Sequence, residues 1–448
     1  MVPMTADATT GATQRPNGAA ALTVAEILAA RERLAHVVIT TPLQYAERLS
    51  RETGARVYLK REDLQVVRSY KIRGAYNLMA QLTDAEKAAG VVAASAGNHA
   101  QGVAFACRAM EVRGRIYIPT TTPRQKRDRI RAHGGAFVEL IATGETYDAA
   151  AAAAQEDVAR TGATWVHAFD DPRTTAGQGT IGVEIVEQLG GVPDVTVVPV
   201  GGAGCFAGVH TYVRSQSPSA TIVGVEPSGA PSLARALVAG GPVDLATIDS
   251  FVDGAAVKRI GRLGYEVAAA AGAQVWSGTR SARVGPGVTV IMEVDEGAVC
   301  TAMLDLYQNE GVIAEPAGAL AVAALRQLDF APGATVVCLL SGGNNDVSRY
   351  TEVIERSLVH KGLKHYFLVD FPQEPGALRR FLDEVLGPDD DVTLFEYVKR
   401  NNRETGEALV GVELGRAEDL GALLDRMERS RLHCERLEPG SPAYRYLT

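Results

Sequence analysis

The sequence predicts an α/β protein with two open parallel-sheet lobes facing each other across a cleft, followed by a smaller α+β domain. Three observations carry this expectation. From Leu22 to about Tyr350, short β-branched runs alternate with amphipathic stretches, the rhythm of parallel sheets covered by helices. That region is too long for one ordinary sheet, so it divides into two lobes. Past Tyr350 the rhythm changes to a single βαββαβ pattern, a ferredoxin-like split βαβ unit.

The elements follow in chain order. Met1 to about Ala20 is rich in Ala, Thr and Gly and has no apolar h-region, so residues 1–20 read as a disordered leader. Val91–Ser95, Arg115–Pro119, Ala136–Ile141, Val195–Val200, Thr221–Glu226 and Ala334–Ser341 read as buried strands, because each is near-continuously apolar. Between them lie helical spacings such as Ala100, Val103, Ala104 and Cys107. Residues 21–350 form the larger region, with a small lobe at about 68–168 inserted in a large one. Ser357–Leu363 (SLVHKGL) reads as a linker, which sets the linker at 351–361 and the terminal domain at 362–448. In that domain strands are expected at His365–Phe371, Val392–Lys399, Ala408–Glu413 and Leu432–Leu437, with helices at Ala377–Leu386 and Ala417–Arg429.

Composition excludes several function classes. The 448 residues carry 45 Lys and Arg against 53 Asp and Glu, and five of the eight net negative charges fall in residues 362–448. Without a basic block there is no footprint for nucleic acid. No run of about 18 apolar residues occurs, so no membrane partner is expected. The five cysteines, Cys107, Cys205, Cys300, Cys338 and Cys434, are odd in number and never form a C-x-x-C pair. That pattern fits a reducing cytoplasm and offers neither a disulfide framework nor a cysteine-based metal site.

Four segments carry chemistry. The strand Val195–Val200 runs into Gly201-Gly202-Ala203-Gly204-Cys205-Phe206-Ala207, where glycines let backbone N–H groups approach a phosphate at a helix start. Read from Gly202 it fits G-x-G-x-x-A, and Glu226 closes the next strand, so a dinucleotide is one candidate ligand. A tight turn with no ligand is another. Ser69-Tyr70-Lys71-Ile72-Arg73-Gly74-Ala75-Tyr76-Asn77 opens a helix with Ser69 as candidate N-cap. Lys71 lies in the first turn, where the dipole disfavours an ammonium and so favours a nucleophilic amine. A solvated surface lysine is the bland alternative. Ser95-Ala96-Gly97-Asn98-His99 forms another nest at a helix start, and Ser341-Gly342-Gly343-Asn344 follows a strand C-terminus, where ligands of open α/β sheets bind. Taken singly, each segment reads first as an Asx or Gly turn.

Taken together, Ser69–Asn77 (SYKIRGAYN), Ser95–Gly102 (SAGNHAQG), Val198–Gly204 (VPVGGAG), Glu315–Leu320 (EPAGAL) and Ser341–Asn344 (SGGN) resemble the threonine dehydratase (threonine deaminase) family of fold-type II, tryptophan synthase β-like, pyridoxal-phosphate enzymes. The tail, including Pro375-Gly376-Ala377-Leu378, is similar to that family's ACT-like regulatory domain. The resemblance implies pyridoxal 5'-phosphate held covalently by Lys71, with Tyr70 stacking on its ring. Its phosphate would sit on Gly201, Gly202, Ala203, Gly204 and Cys205, its ring oxygen on Asn98, and its ring nitrogen on Ser341. The substrate carboxylate would meet Ser95, Ala96, Gly97, Asn98 and His99. The implied reaction is loss of water and ammonia from L-threonine to give 2-oxobutanoate, at the head of isoleucine synthesis. Isoleucine and valine are the implied effectors and a homo-oligomer, tetramer or dimer, the implied assembly. A serine dehydratase or racemase on the same scaffold stays open, as do a dinucleotide oxidoreductase, a non-catalytic amino-acid sensor and a tail that only oligomerises.

Two departures from the family pattern stand out. Ala203 takes the place of a usual glycine, and Cys205-Phe206 that of small aliphatics; Tyr70 replaces a commoner Phe, and either ring can stack on a pyridine. A positive φ at Ala203 would cost on the order of 1–2 kcal/mol.

Overall fold

The larger sheet has seven strands, in spatial order Leu43–Tyr45, Arg56–Arg61, Thr335–Leu340, Val195–Pro199, Thr221–Pro227, Thr289–Val294 and Gln274–Trp276. Only the first pairing is antiparallel; the rest are parallel. The three central strands are buried throughout, which is why they read as unbroken apolar runs. The smaller sheet is wholly parallel, in the order Val138–Ala142, Gly114–Ile118, Val91–Ala94 and Thr164–Trp165. These coordinates come from a computed structural model that describes residues 22–276, 278, 282–397, 404–438, 441 and 444. The expected leader at 1–20 lies outside the described residues, as do the last two residues of the expected strand Val392–Lys399.

Some expectations need correction. The strand expected as buried over 136–141 is an edge strand at Val138–Ala142, half-buried along its length, because a 3-10 turn occupies Gly135–Phe137. The segment expected as a linker at 351–361 is mostly helix, Tyr350–His360, and it packs on the helix Glu296–Glu310. Val353 and Ser357 are buried there, and the Ser357 and Thr301 hydroxyls share a hydrogen bond of 2.9 Å. Arg349, just before this helix, and Arg356 within it stack their guanidiniums on the Phe251 ring at 4.6 and 4.3 Å. A segment with a buried stripe and a stacked ring is a packed strut, even where its sequence reads as polar.

The terminal domain has strand order Asp391–Tyr397, Thr405–Glu413, Lys364–Pro372 and His433–Leu437, all antiparallel, with helices at Ala377–Glu384 and Leu420–Arg429. Phe367, Val369 and Phe371 alternate inward and meet Phe381 and Leu423 from the two helices. This is the ferredoxin-like order the βαββαβ pattern predicts.

The helix Pro172–Leu189 organises the junction of the lobes. Asp171 caps it by accepting from the Arg173 N–H at 2.8 Å, and Pro172 takes the first helical position. Two glycines let its neighbours close in. A Cβ at Gly177 would stand 2.3 Å from the Arg73 carbonyl oxygen, and one at Gly179 would stand 3.0 Å from that of Gly208.

The same helix supplies Glu184 to an ion network with no exposure at all. Arg73 grips Glu62 through two hydrogen bonds, of 2.8 and 2.7 Å, and Glu184 through two more, of 2.7 and 2.9 Å. Lys60 donates to Glu184 at 2.6 Å, to the Thr41 carbonyl at 2.8 Å and to Gln188 at 2.9 Å. All four ionic side chains have zero exposure. Burial opposes charge at Glu184, but the Arg73 and Lys60 charges outweigh it and hold the carboxyl below its ordinary value. Removing one partner of such a set leaves a buried, uncompensated charge, so Glu184→Gln is expected to lower stability by about 3–5 kcal/mol. Urea unfolding of the wild type and variant measures this.

Candidate active site

Three strand C-termini converge on one cavity of about 760 Å³ between the lobes. Val91–Ala94 delivers Ser95 to His99, Val195–Pro199 delivers the glycine loop, and Thr335–Leu340 delivers Ser341. Tyr70, Lys71, Ser95, Ala96, Gly97, Asn98, His99, Gly201, Gly202 and Ser341 all line it. Ala203, Gly204 and Cys205 do not. They lie just behind, and the Ala203 and Cys205 side chains belong to the large-lobe core. Cys205 can therefore offer a ligand only its backbone, and burial pushes its thiol up to about 12.

Lys71 is the first residue of the helix Lys71–Met79. Ser69 does not cap that helix; its Oγ is buried and without a hydrogen-bond partner among the described residues. Its backbone instead forms a bridge with Gly342, and the Tyr70 N–H donates to the Ser341 carbonyl at 3.1 Å. The lysine and serine segments are thus joined through their main chains. The Lys71 Nζ donates to the Ala168 carbonyl at 3.1 Å and lies 5.2 Å from the centre of the Tyr70 ring. No carboxylate pairs with it among the described residues. Burial lowers this amine to about 8, against the attraction of Cys205 and Glu315.

The glycine loop has the geometry its alanine made doubtful. Ala203 sits at φ 63° and ψ 9°, in the left-handed region. The helix Gly204–Gln216 starts at the next residue, so N–H groups of the turn and the helix start gather there. A Cβ at Gly202 would collide with the Phe169 ring, at 2.1 Å, and one at Gly201 would stand 2.9 Å from the Ala255 Cα. Arg68, just before the lysine segment, is also at positive φ, 57°. Two non-glycine residues in a sparsely populated region, both beside the cavity, are the kind of strain that surrounding structure must enforce.

Glu226 corrects the dinucleotide reading. Its carboxylate is buried and accepts from the N–H groups of Leu233 and Ala234 at 2.7 and 2.9 Å. It therefore serves the start of the helix Ser232–Ala239 and has no free face for a ribose.

Asn98 opens the helix Asn98–Met110 and donates from Nδ2 to Oε1 of Glu315 at 2.6 Å, while its Oδ1 accepts from Asn344 at 2.8 Å. Burial pushes the Glu315 carboxyl up to about 7, with Asp253 acting in the same direction. His99 meets the Val166 carbonyl through Nε2 at 2.7 Å, and burial holds it down to about 3, so it is neutral. The Ser341 hydroxyl donates to the Ala317 carbonyl at 3.3 Å. Glu315 was visible in the sequence only as part of EPAGAL, with no role attached. Asn344 was likewise visible only as the end of SGGN; Ala168 and Phe169 were not singled out, and only their place in the folded chain marks them.

These residues fit pyridoxal phosphate. Among the described residues a buried amine has no carboxylate partner, a strand-to-helix turn gathers donors, and a neutral hydroxyl, Ser341, lines the same cavity. At Gly97 a Cβ would meet nothing within 4 Å, so the backbone there faces open space.

The strained loop yields a paired test. The room for the Ala203 methyl exists because residue 264 is glycine: a Cβ there would stand 2.4 Å from the Ala203 Cβ. Gly264→Ala is therefore expected to distort the loop and raise the dissociation constant for pyridoxal phosphate. Ala203→Gly in the same chain is expected to restore it, since the clash is gone and strain of about 1–2 kcal/mol is relieved. Cofactor titration of the two single variants and the double variant measures the coupling.

Comparison with known proteins agrees with this geometry. The family of pyridoxal-phosphate dependent enzymes matches residues 34–342, and the C-terminal regulatory domain of threonine dehydratase matches residues 355–447. The biosynthetic L-threonine dehydratase of Mycobacterium tuberculosis is 66% identical over 426 residues, covering 95% of this chain and 96% of that protein. That of Corynebacterium glutamicum is 58% identical over 435 residues, covering 96% of this chain and 97% of the relative. Among solved structures, the processed form of threonine deaminase isoform 2 from Solanum lycopersicum superposes with a TM-score of 0.67 at 35% identity, covering 76% of this chain and 91% of that one. With a strand-end cavity built around an unpaired lysine and relatives this similar along nearly its whole length, the chain belongs to the biosynthetic threonine dehydratase family of pyridoxal-phosphate dependent enzymes.

Proposed function

We propose that this protein is an L-threonine ammonia-lyase that converts L-threonine to 2-oxobutanoate and ammonia, the first step of isoleucine synthesis. The observation that carries the reading is the Lys71 amine, buried at a helix start without a carboxylate partner and facing the same cavity as Asn98, Ser341 and the glycine loop. Pyridoxal phosphate, when bound, withdraws the electron pair left at the α-carbon. Everything else falls to the chain. The Lys71 Nζ holds the cofactor and, once released, accepts the α-proton. Backbone N–H groups of Gly201, Gly202, Ala203, Gly204 and Cys205 hold the phosphate, and Asn98 donates to the ring oxygen. Tyr70 packs beside the ring. Ser341 would offer the ring nitrogen a neutral hydroxyl in place of a carboxylate, an arrangement that suits expulsion of the β-hydroxyl over exchange of the amine. Residues Ser95, Ala96, Gly97, Asn98 and His99 receive the substrate carboxylate. Hydrogen bonds to a charged group contribute about 1.5–3 kcal/mol each, more than the dipole of the helix they open, about 0.3–1 kcal/mol.

The terminal domain binds isoleucine, with valine as a competing ligand, and the protein works as a homo-oligomer in the cytoplasm. Free cysteines and the lack of any helix long and apolar enough to cross a membrane, among the described residues, support that placement. The connecting helix supports regulation. Midway along it Glu355 accepts from the Tyr366 hydroxyl at 2.5 Å and pairs with Lys364 at 2.9 Å, both in the terminal domain's first strand. The next residue, Arg356, holds Phe251 together with Arg349, and the neighbours of Phe251, Ser250, Asp253 and Gly254, line the cavity.

Lys71→Ala is expected to lose the visible absorbance of the bound cofactor and to lower 2-oxo acid production from threonine by several orders of magnitude. A variant that still traps cofactor with borohydride would move the role to another lysine. Only the neutral form of the Lys71 amine would be competent to hold the cofactor covalently, so cofactor uptake by the stripped enzyme is expected to quicken as pH rises through about 8. Stopped-flow absorbance measures that rate.

Isoleucine is expected to raise the half-saturating threonine concentration by about 5–150-fold, the range of an ordinary allosteric coupling. Initial rates across threonine concentrations measure it. No response at any concentration would leave the terminal domain a structural unit.

A further inference from the structure

Asn98 belongs to the small lobe, and both groups that grip its amide belong to the large one. An amide side chain has one acceptor oxygen and two N–H donors. At Asn98 the oxygen is taken by Asn344, at 2.8 Å, and one N–H by Glu315, at 2.6 Å. One N–H is left, and its direction is fixed by the other two partners.

Those partners are fixed in turn. The Asn344 Nδ2 donates to the Val67 carbonyl at 2.8 Å as well as to Asn98, and its Oδ1 accepts from Arg129 at 2.7 Å. Turning the Asn344 amide over would aim its N–H groups at a guanidinium and its oxygen at two other oxygens. Its orientation, and so that of Asn98, is determined by the network. Glu315 is just as confined: the residue opposite it is glycine, and a Cβ at Gly342 would stand 2.1 Å from Oε1. The Asn344 backbone N–H also bonds this carboxyl.

We propose that Glu315 and Asn344 are positioning residues for Asn98, aiming its free N–H at the cofactor's ring oxygen when the two lobes meet, with Arg129 of the small lobe fixing Asn344 from across the cleft. The proposal rests on Asn98 as the ring-oxygen donor. It adds a reason why that donor is competent only in the closed protein: each lobe holds part of the set. Arg129 lies on the small-lobe helix Arg124–Gly134, next to Lys126, which bonds Asp253 of the large lobe at 2.6 Å. Opening the cleft therefore removes the Asn98 partners and the neighbouring ion pair together.

The charge on Glu315 gives the device a signature. Asp253 and Lys126 face this carboxyl with opposite signs, and Tyr70 and Lys71 face it from the lysine helix. Burial places its titration at about 7. Above that value a carboxylate accepts from Asn98; below it a neutral acid accepts more weakly. The hold on Asn98 should tighten as pH rises through about 7.

The test uses full-length holoenzyme as wild type, Asn98→Ala, Glu315→Gln, Asn344→Ala and the double variant Asn98→Ala with Glu315→Gln. Two quantities are followed across pH: the visible absorbance of the bound pyridoxal phosphate, and kcat and KM for threonine. Expected are a shift of the visible band in Asn98→Ala, a shift in the same direction in Glu315→Gln and Asn344→Ala, and loss of the step near pH 7 in Glu315→Gln. The positioning variants should lose up to about 10²-fold in kcat, as slight misplacement of a reacting group does, with KM little changed. The double variant should be no worse than Asn98→Ala, because both changes remove one function. Independent, multiplying effects in the double variant would overturn the proposal. So would an unmoved band in Glu315→Gln and Asn344→Ala while Asn98→Ala shifts it. An unmoved band in Asn98→Ala itself would instead remove the ring-oxygen reading, and the positioning role with it. Should Glu315→Gln fail to fold, Asn344→Ala combined with Asn98→Ala carries the same comparison.

Discussion

The grip of Arg73 on Glu62 and Glu184 is the constraint on which the site depends. Arg73 follows Lys71 by two residues, so on a helix the two side chains leave on nearly opposite sides. One side goes to the cavity; the other is locked into a network with no exposure. That network spans the strand Arg56–Arg61, the turn Glu62–Leu64 and the helix Pro172–Leu189. Four charges removed from water are costly, and the set is tolerable because it holds two cations, two anions and further hydrogen bonds to Thr41, Gln188 and Thr180. An apolar replacement could give equal stability. It could not fix the rotation of the lysine helix so narrowly, because Arg meets carboxylates through a planar fork with defined directions.

The same helix start explains how the amine stays reactive. Lys71 has burial and a helix N-terminus against its charge, and a carbonyl rather than a carboxylate as partner. Had Glu315 paired with Lys71, the amine would be held as an ammonium. Instead the Glu315 carboxyl is engaged by Asn98 and the Asn344 backbone. The nearest acid is thus kept at work on another group. Strain lies close by: Ala203 and Arg68, both at positive φ, immediately precede or follow cavity-lining segments, and Gly264 is the small neighbour that leaves the Ala203 methyl room.

Much of this was legible in the sequence, and the rest was hidden for physical reasons. The central strands announce themselves because burial on both faces forbids polar residues. The strand Arg56–Arg61 gives no such sign, since three of its six residues are Arg or Lys, yet Lys60 is wholly buried in it. Only a partner distant in sequence, Glu184, makes that burial possible, and pairing of this kind leaves no local trace. Motifs fared better than caps. SYKIRGAYN marked the lysine correctly as the start of a helix, while Ser69, a good N-cap by type, is drawn instead into a main-chain bridge with Gly342. Glu226 shows the reverse error: its spacing suited a ribose, but a neighbouring helix start takes its carboxylate. The terminal domain was readable as βαββαβ because short apolar-rich strands and strongly amphipathic helices follow one another there, whereas the helix before it was read as a linker because its buried stripe is narrow.

That helix is where the energies of the two regions become comparable. An effector shifts an equilibrium only by its differential affinity for two states, commonly about 1–3 kcal/mol. A guanidinium stacked on a ring is worth about 0.5–1 kcal/mol when exposed and about 2 when desolvated. Arg349 and Arg356 are part-buried, and between them they hold one fully packed ring, Phe251, with Arg349 also donating to its carbonyl at 2.6 Å. The grip of two side chains on one residue is therefore as large as a whole allosteric coupling. Contacts run without a break from the terminal domain to the cavity. Tyr366 and Lys364 hold Glu355, the next residue Arg356 holds Phe251 together with Arg349, and the loop from Asp249 to Ala255 has Gly201 against its far side. The sheets set where the site is; this short loop is where contacts of that size meet it.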